Sequence, residues 1–122
     1  MQKVLIILFL MTSLVACTPL QFAVANAPTL SYDGQISKDV AYGQFPRQKL
    51  DIYVPNIEQE TFPVVVFFHG GRWIDGSKDQ YKFVATTLSN MGYVVVLPNP
   101  RLYPDVKFPT FLEDAAKSVA WV

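Results

Sequence analysis

The sequence predicts an α/β fold in which parallel strands are covered by helices. Two observations carry that expectation. Residues 63–69, PVVVFFH, and 93–98, YVVVLP, are short runs of β-branched and aromatic residues bounded by proline or glycine. Strands buried on both faces read this way. Between them Tyr81, Val84, Ala85, Leu88 and Met91 recur at helical spacing, so the connection is a helix, and a helical crossover most simply joins parallel strands.

The elements follow in chain order. Lys3 precedes an apolar run over residues 4–11, and LVAC follows at 14–17. The run is too short to span a bilayer, which takes about 20 helical residues, and it has the form of an export signal. An A-x-A cleavage site at 23–25 is the alternative, but it lies far past the apolar run. LVAC resembles the bacterial lipoprotein box. That resemblance implies that residues 1–16 are a signal peptide, that Cys17 is the lipid attachment site, and that the protein is held to the cell-envelope membrane through its N-terminal lipid. Thr18, where an aspartate would signal inner-membrane retention, points to the outer membrane facing the periplasm. Residues 17–35 hold Pro, Asn, Gly and Ser without helical periodicity and are expected to be a tether; the alternative is that Phe22, Val24 and Leu30 pack on the domain.

Residues 36–122 are the expected domain. A weak strand is expected within 36–43. KLDIYVP at 49–55 alternates Leu50, Ile52 and Val54 with Lys49, Asp51 and Tyr53, the pattern of a half-buried strand. A charged loop follows at 56–62. After the first buried strand, Ser77 and Gln80 are spaced as a capping box, and Asn90 and Gly92 supply the helix stop. A proline-rich loop at 99–109 leads to a second box, Thr110 with Glu113. Phe111, Ala115, Val119 and Val122 then mark the apolar face of a last helix that carries no stop signal, so the chain is expected to be truncated there.

Composition narrows the function classes. Ten acidic residues balance ten basic ones without a basic patch, so no nucleic-acid partner is expected. The single cysteine allows no internal disulfide, and one histidine gives no His-based metal site. No cofactor is expected.

The chemistry concentrates in FFHGGRW, residues 67–73. Gly70 and Gly71 end the most buried strand, where open α/β sheets bind ligands. Paired glycines allow a backbone to approach a ligand or adopt unusual φ/ψ. Spacing alone leaves two readings open: an oxyanion hole, or a turn that lets the chain leave the sheet.

FFHGGRW, then NPRLYP at 99–104, then FPTFLEDAAKSVAWV at 108–122 resemble the α/β-hydrolase esterases with an HGGxW oxyanion motif: carboxylesterases, feruloyl and acetyl-xylan esterases, and kynurenine formamidases. YGQFPRQKLDIYVP, 42–55, resembles the strand leading into that motif. The resemblance implies the N-terminal part of an α/β-hydrolase fold, a mostly parallel sheet with flanking helices, ending before the nucleophile strand. It implies that the amides of Gly70 and Gly71 form the oxyanion hole for a small ester substrate. His69 precedes any triad position and braces that loop from behind. Arg72 stands where HGGG enzymes have a third glycine, and Trp73 either lines the pocket or packs. Asp75 is expected to hydrogen-bond within the turn. Arg101 and Asp114 are expected to tie the second loop to the last helix.

No serine sits in G-x-S-x-G: Ser77 reads as a cap, and Ser89 and Ser118 lie within helices. The resemblance therefore implies that the Ser-Asp-His triad lies beyond residue 122, and that the partner this chain requires is the missing C-terminal part of its own fold. Alone, the chain is expected to be unstable or insoluble, because the 63–69 strand would offer an apolar open edge. The readings that remain are an exported carboxylic-ester hydrolase, a formamidase or amidase of the same fold, and a non-catalytic, membrane-tethered module.

Overall fold

The computed structural model describes residues 17–122; the signal-peptide expectation for residues 1–16 lies outside them. Nine elements follow: α1 (Cys17–Asn26), a 3-10 turn (Ala27–Ser31), β1 (Gln35–Ala41), β2 (Lys49–Val54), β3 (Val64–Val66), a second 3-10 turn (Lys78–Tyr81), α2 (Lys82–Asn90), β4 (Val94–Asn99) and α3 (Thr110–Trp121). The four strands form one sheet in the order β1-β2-β4-β3. β3 and β4, joined through α2, are parallel, as the helical crossover requires. β1 and β2 extend the sheet by antiparallel pairing.

α2 covers one face of the sheet. There Tyr53, Val95 and Leu97 pack with Ala85, and Tyr32, Phe67, Leu88 and Tyr93 lie against them. The other face gathers Tyr42, Leu50 and Val96, with Val40, Ile52 and Val66 only partly covered. Full burial on both faces, expected of the two apolar runs, holds for Val95 to Leu97 but not for β3. β3 is the outer strand and Val64 is half exposed, because burial is set by position in the sheet and not by composition.

β2 also departs from its alternation. Asp51 is 0 % exposed and Tyr53 is buried, while Ile52 and Val54 are only half-buried. α2 and Tyr32 cover the Tyr53 face of β2, while on the other face Leu50 is buried and Ile52 only partly covered; Asp51 is tolerated because Lys78 lies 2.8 Å away. Lys78, 3 % exposed, also reaches Asp39 at 3.0 Å. A bulge in β1 puts Asp39 at φ 56°, and its amide donates to Asp51 Oδ1 at 2.8 Å. Burial works against the Lys78 charge, but its hydrogen bonds with Asp51 and Asp39 outweigh that and raise its pKa above the ordinary lysine value.

The segment expected to be a tether is helical. α1 runs from Cys17 to Asn26, and its last residue is fixed to the body: Asn26 donates from Nδ2 to the Gln80 carbonyl at 3.0 Å and accepts from the Phe83 amide at 2.9 Å. Phe22 meets Tyr81 edge-on, with ring centroids 5.4 Å apart. Of the three apolar residues weighed for packing, Phe22 docks, whereas Val24 and Leu30 are exposed. Periodicity could not reveal this helix, because what bonds and stacks it onto the body is one asparagine and one ring.

α2 is amphipathic on a different stripe from the one expected. Ala85, Thr86 and Ser89 are buried and Met91 is exposed. Ser89 is satisfied by Tyr32: the tyrosine hydroxyl donates to the Val54 carbonyl at 2.8 Å, which leaves it to accept from Ser89 Oγ at 2.6 Å. α3 buries Asp114 and Ser118, and leaves Val119 and Val122 half exposed.

Candidate functional site

The chain leaves β3 at Phe67, whose amide still bonds the Val96 carbonyl at 2.9 Å, and then turns sharply. Gly71 (φ 127°), Arg72 (φ 55°), Trp73 (φ 63°) and Gly76 (φ 100°) all have positive φ. For Arg72 and Trp73 this conformation costs roughly 1–2 kcal/mol each. Amides of Ile74 and Asp75 close the turn on the Gly71 carbonyl at 3.0 and 3.1 Å. A Cβ at Gly71 would strike the Asp75 carbonyl, and one at Gly76 would strike the Gly70 carbonyl. Both glycines are therefore required by the turn itself. Asp75 supports it as expected, its Oδ1 accepting from the Gly76 amide at 2.7 Å.

The turn leaves donors free. Among the described residues, the amides of Gly70, Gly71, Arg72 and Trp73 have no acceptor. Consecutive unpaired N–H groups in left-handed backbone form a concave anion-binding nest.

His69 stands behind this turn. Its Nδ1 lies 2.8 Å from the Gly70 carbonyl, and its Nε2 lies 3.4 Å from an Arg47 guanidinium nitrogen. Arginine only donates, so Nε2 accepts and Nδ1 carries the proton that it donates to Gly70. Burial, with a further contribution from the Arg47 charge, lowers the His69 pKa despite the Gly70 bond that raises it. Both ring nitrogens are engaged, one by the Gly70 carbonyl and the other by Arg47, so neither is free to act as a base. Tyr81 stacks near it at 6.4 Å between centroids.

Arg47 is the residue that sequence reading missed. Its guanidinium donates to the Gly76 carbonyl at 2.6 Å and to the Pro100 carbonyl at 2.7 Å, besides touching His69. One side chain thus joins the loops that follow β3 and β4. Nothing in PRQ distinguishes it from a surface arginine. The signal that existed lay in its neighbours, Tyr42 and Gln48, a tyrosine and a glutamine that would be unusual to bury without partners. Tyr42 donates to the Asn99 carbonyl at 2.9 Å and Gln48 donates to Asp114 at 2.7 Å.

Arg101 and Asp114 form the expected tie. Asp114, 2 % exposed, receives Arg101 Nε and a terminal guanidinium nitrogen, each at 2.8 Å, and the Arg101 amide at 2.9 Å. Burial raises the Asp114 pKa, but the Arg101 and Gln48 hydrogen bonds prevail and leave it below the ordinary carboxylate value. The Arg101 guanidinium also sits 3.9 Å above the Phe45 ring. Trp73 packs: it stacks on Phe111 of α3 with centroids 4.9 Å apart, and its carbonyl accepts from the Tyr103 amide at 2.8 Å. Arg72 is exposed at the turn.

The two expected capping boxes divide. Ser77 and Gln80 form a complete box at the second 3-10 turn, with Gln80 Oε1 accepting from the Ser77 amide at 3.0 Å. Thr110 does not cap α3: the cap position is Pro109, which offers no side-chain acceptor. The box at 110–113 is a correction to the sequence reading: Pro109 takes the cap position, which puts Thr110 inside the helix.

Comparison with known proteins agrees with this architecture. The BD-FAE family model matches residues 50–122. A probable isoprenylcysteine alpha-carbonyl methylesterase of Oryza sativa subsp. japonica is 33 % identical over 91 residues, covering 75 % of this chain and 21 % of the relative. A kynurenine formamidase of Danio rerio is 35 % identical over 88 residues, covering 72 % and 30 %. Among solved structures, esterase B of Lactobacillus rhamnosis, inhibited by a tributyrin phosphonate, superposes with a TM-score of 0.71 at 26 % identity, covering 91 % of this chain and 38 % of that one. The chain thus spans between about a fifth and a third of the length of these curated relatives.

Proposed function

The chain belongs to the BD-FAE family of α/β-hydrolase esterases, and on that premise we propose that its turn at 69–76 is the oxyanion hole of a serine hydrolase acting on small carboxylic esters. The observation that carries this reading is the run of unpaired amides from Gly70 to Trp73 at the carboxyl end of β3. In the proposed reaction a serine Oγ attacks the ester carbonyl carbon and gives its proton to the triad histidine. The carbonyl oxygen gains the negative charge, which the Gly70 and Gly71 amides receive. The intermediate collapses as the alcohol leaves with that proton, and water then releases the acid from the acyl-enzyme. The serine, its histidine and the acid belong, in this proposal, to sequence following Val122. His69 and Arg47 hold the hole without touching the reacting atoms.

The test is Gly71→Ala in the full-length protein. The substitution keeps the backbone N–H, but its Cβ would strike the Asp75 carbonyl and displace the amides of the turn, so kcat with p-nitrophenyl acetate should fall by about the 10²–10³ that loss of one oxyanion donor costs, in a variant whose circular dichroism shows it folded. An unchanged kcat would sink the assignment. A formamidase is the second reading, supported by the identity to the Danio rerio enzyme; relative turnover of an N-formyl aromatic amine and its ester isostere separates the two. The proposal also includes export and an acyl anchor at Cys17, on the strength of LVAC at 14–17; palmitate labelling that is lost in Cys17→Ser tests it.

A further inference from the structure

We propose that the cavity between the β1–β2 turn and the loop after β4 is a binding site for a monocarboxylate that carries a short apolar tail. The cavity measures about 330 Å³, within the range of roughly 300–1,000 Å³ where small-molecule sites fall. Its walls are Phe45, Pro46, Arg47, Arg101, Asp105 and Val106. Each guanidinium is fixed by bonds that leave one of its ends unused. Arg47 donates from Nε to the Pro100 carbonyl and from Nη2 to the Gly76 carbonyl, with His69 beside it. Arg101 donates from Nε and Nη2 to Asp114, and Phe45 covers one face of its guanidinium at 3.9 Å. The Nη1 group of each arginine has no acceptor among the described residues. Both cations are therefore in place before a ligand arrives, which spares it the entropy of ordering two long side chains.

The charge of Arg47 is what assigns a carboxylate. Arg101 has Asp114 as its counter-ion. Arg47 is half-buried, yet no carboxylate lies within ion-pair distance of it among the described residues. A guanidinium keeps its proton in proteins, and a charge withdrawn from water is normally paired. Burial lowers the Arg47 pKa, and the more distant Asp105 and Asp75 offset only part of that. Two guanidinium N–H groups in one cavity wall are the donors that a carboxylate accepts from best. The other walls set the rest of the ligand. Phe45, Pro46 and Val106 suit a hydrocarbon tail. Asp105, exposed at the rim, repels a second negative charge, so a monoanion fits better than a phosphate or a dicarboxylate. Arg47 also touches His69 and Gly76, so occupancy of the cavity reaches the turn at 69–76. On the oxyanion reading, an acid of this class is the product that ester hydrolysis releases; the site itself does not depend on that reading.

The full-length protein is first treated with a serine-directed phosphonate, which closes the proposed catalytic site to the acid. It is then titrated by calorimetry, at constant ionic strength, with sodium butyrate, butyramide and inorganic phosphate. Butyrate should bind saturably, and the neutral amide and phosphate at least tenfold more weakly. Asp105→Asn removes the repelling charge at the rim and should tighten butyrate about twofold to fivefold. Val106→Trp fills the cavity and should weaken it at least tenfold. Butyrate should also shift the His69 Nε2 resonance, and Val106→Trp should abolish that shift. Asp105 is exposed, so Asp105→Asn tests the site even where Val106→Trp fails to fold. Equal affinities for butyrate and butyramide would leave an apolar hole with no carboxylate specificity. Tighter phosphate would show a general anion site. No saturable binding would show that the rest of the intact protein, or water, already satisfies Arg47. Butyrate affinity unchanged in both variants would place the ligand elsewhere. Each of these four results overturns the proposal. Butyrate binding as expected in a protein that does not react with the phosphonate would sink the serine-hydrolase reading and leave the carboxylate site standing.

Discussion

The loops that follow β3 and β4 leave the same end of the sheet and are built in opposite ways. The loop after β4 ties down its polar groups. Asp114 alone collects four hydrogen bonds, from Arg101 and Gln48, and the Arg101 guanidinium rests on Phe45. The turn after β3 holds strained backbone, and its front amides find no acceptor among the described residues. What it has instead is support from behind, through His69 and Arg47. In the proposed function, this row of donors without a protein acceptor is where the substrate oxygen supplies one. On that proposal the satisfied loop is the frame and the unsatisfied one is the site.

Breaking the frame should have the largest effect on stability. Asp114→Ala leaves the buried Gln48 amide without its acceptor and frees the partly exposed Arg101 to turn to water; the loss should be about 2–3 kcal/mol, read by denaturant unfolding. The same pair has a pH signature. Its folded pKa is depressed, so its contribution is complete above the unfolded carboxylate value near 4 and is lost as the pH falls through the folded value. The wild-type protein should lose stability below about pH 4, and Asp114→Asn should lose it less steeply. Equal slopes would show that Asp114 is not protected.

The brace behind the site should come next. Arg47→Met removes the donor to His69 Nε2 and to the Gly76 carbonyl, with an expected stability loss of about 1–3 kcal/mol. The sharper readout is the histidine. With Arg47 gone, the charge that helps hold its pKa down disappears and Nε2 is free to take a proton, so the pKa of His69 should rise, as followed by imidazole nitrogen chemical shifts. For the wild type the sign is fixed by the depressed folded value: His69 contributes stability above its unfolded pKa near 6.5 and loses it as the pH falls through the folded one. An unshifted titration in Arg47→Met would separate His69 from Arg47.

The smallest effects contrast the ends of the same two loops. Ser77→Ala removes a formed capping box and should cost about 1 kcal/mol. Thr110→Ala, at a position that makes no cap, should change stability by less than about 0.5 kcal/mol. Equal losses at the two positions would mean that Thr110 caps α3 in solution.

Much of this could be read without coordinates, and for identifiable reasons. β3, α2 and β4 were legible because composition, length and period all agreed over residues 63–98. The turn at 70–71 was legible because paired glycines after a buried strand have few other uses. The Ser77 box and the Thr110 box looked the same in sequence, and only one formed, because a cap depends on where the chain enters the helix. β2 misled in a similar way: its alternation is genuine, but the face that carries Asp51 and Tyr53 is buried, and Asp51 found Lys78 from 27 residues away.

What the sequence determined by itself, then, is what local chemistry enforces: the apolar strands, the glycines that permit left-handed backbone, the family motif, and a charge-free N-terminal stretch up to residue 32. Which groups meet across long separations was settled only on folding. Arg47 with Gly76 and Pro100, Asp114 with Gln48, Asn26 with Gln80 and Phe83, and the helical docking of α1 are all of this kind. The physical reason is that a buried polar side chain needs a partner but carries no periodic signal that names it. Its identity becomes fixed only when folding removes water and leaves one donor within reach of one acceptor.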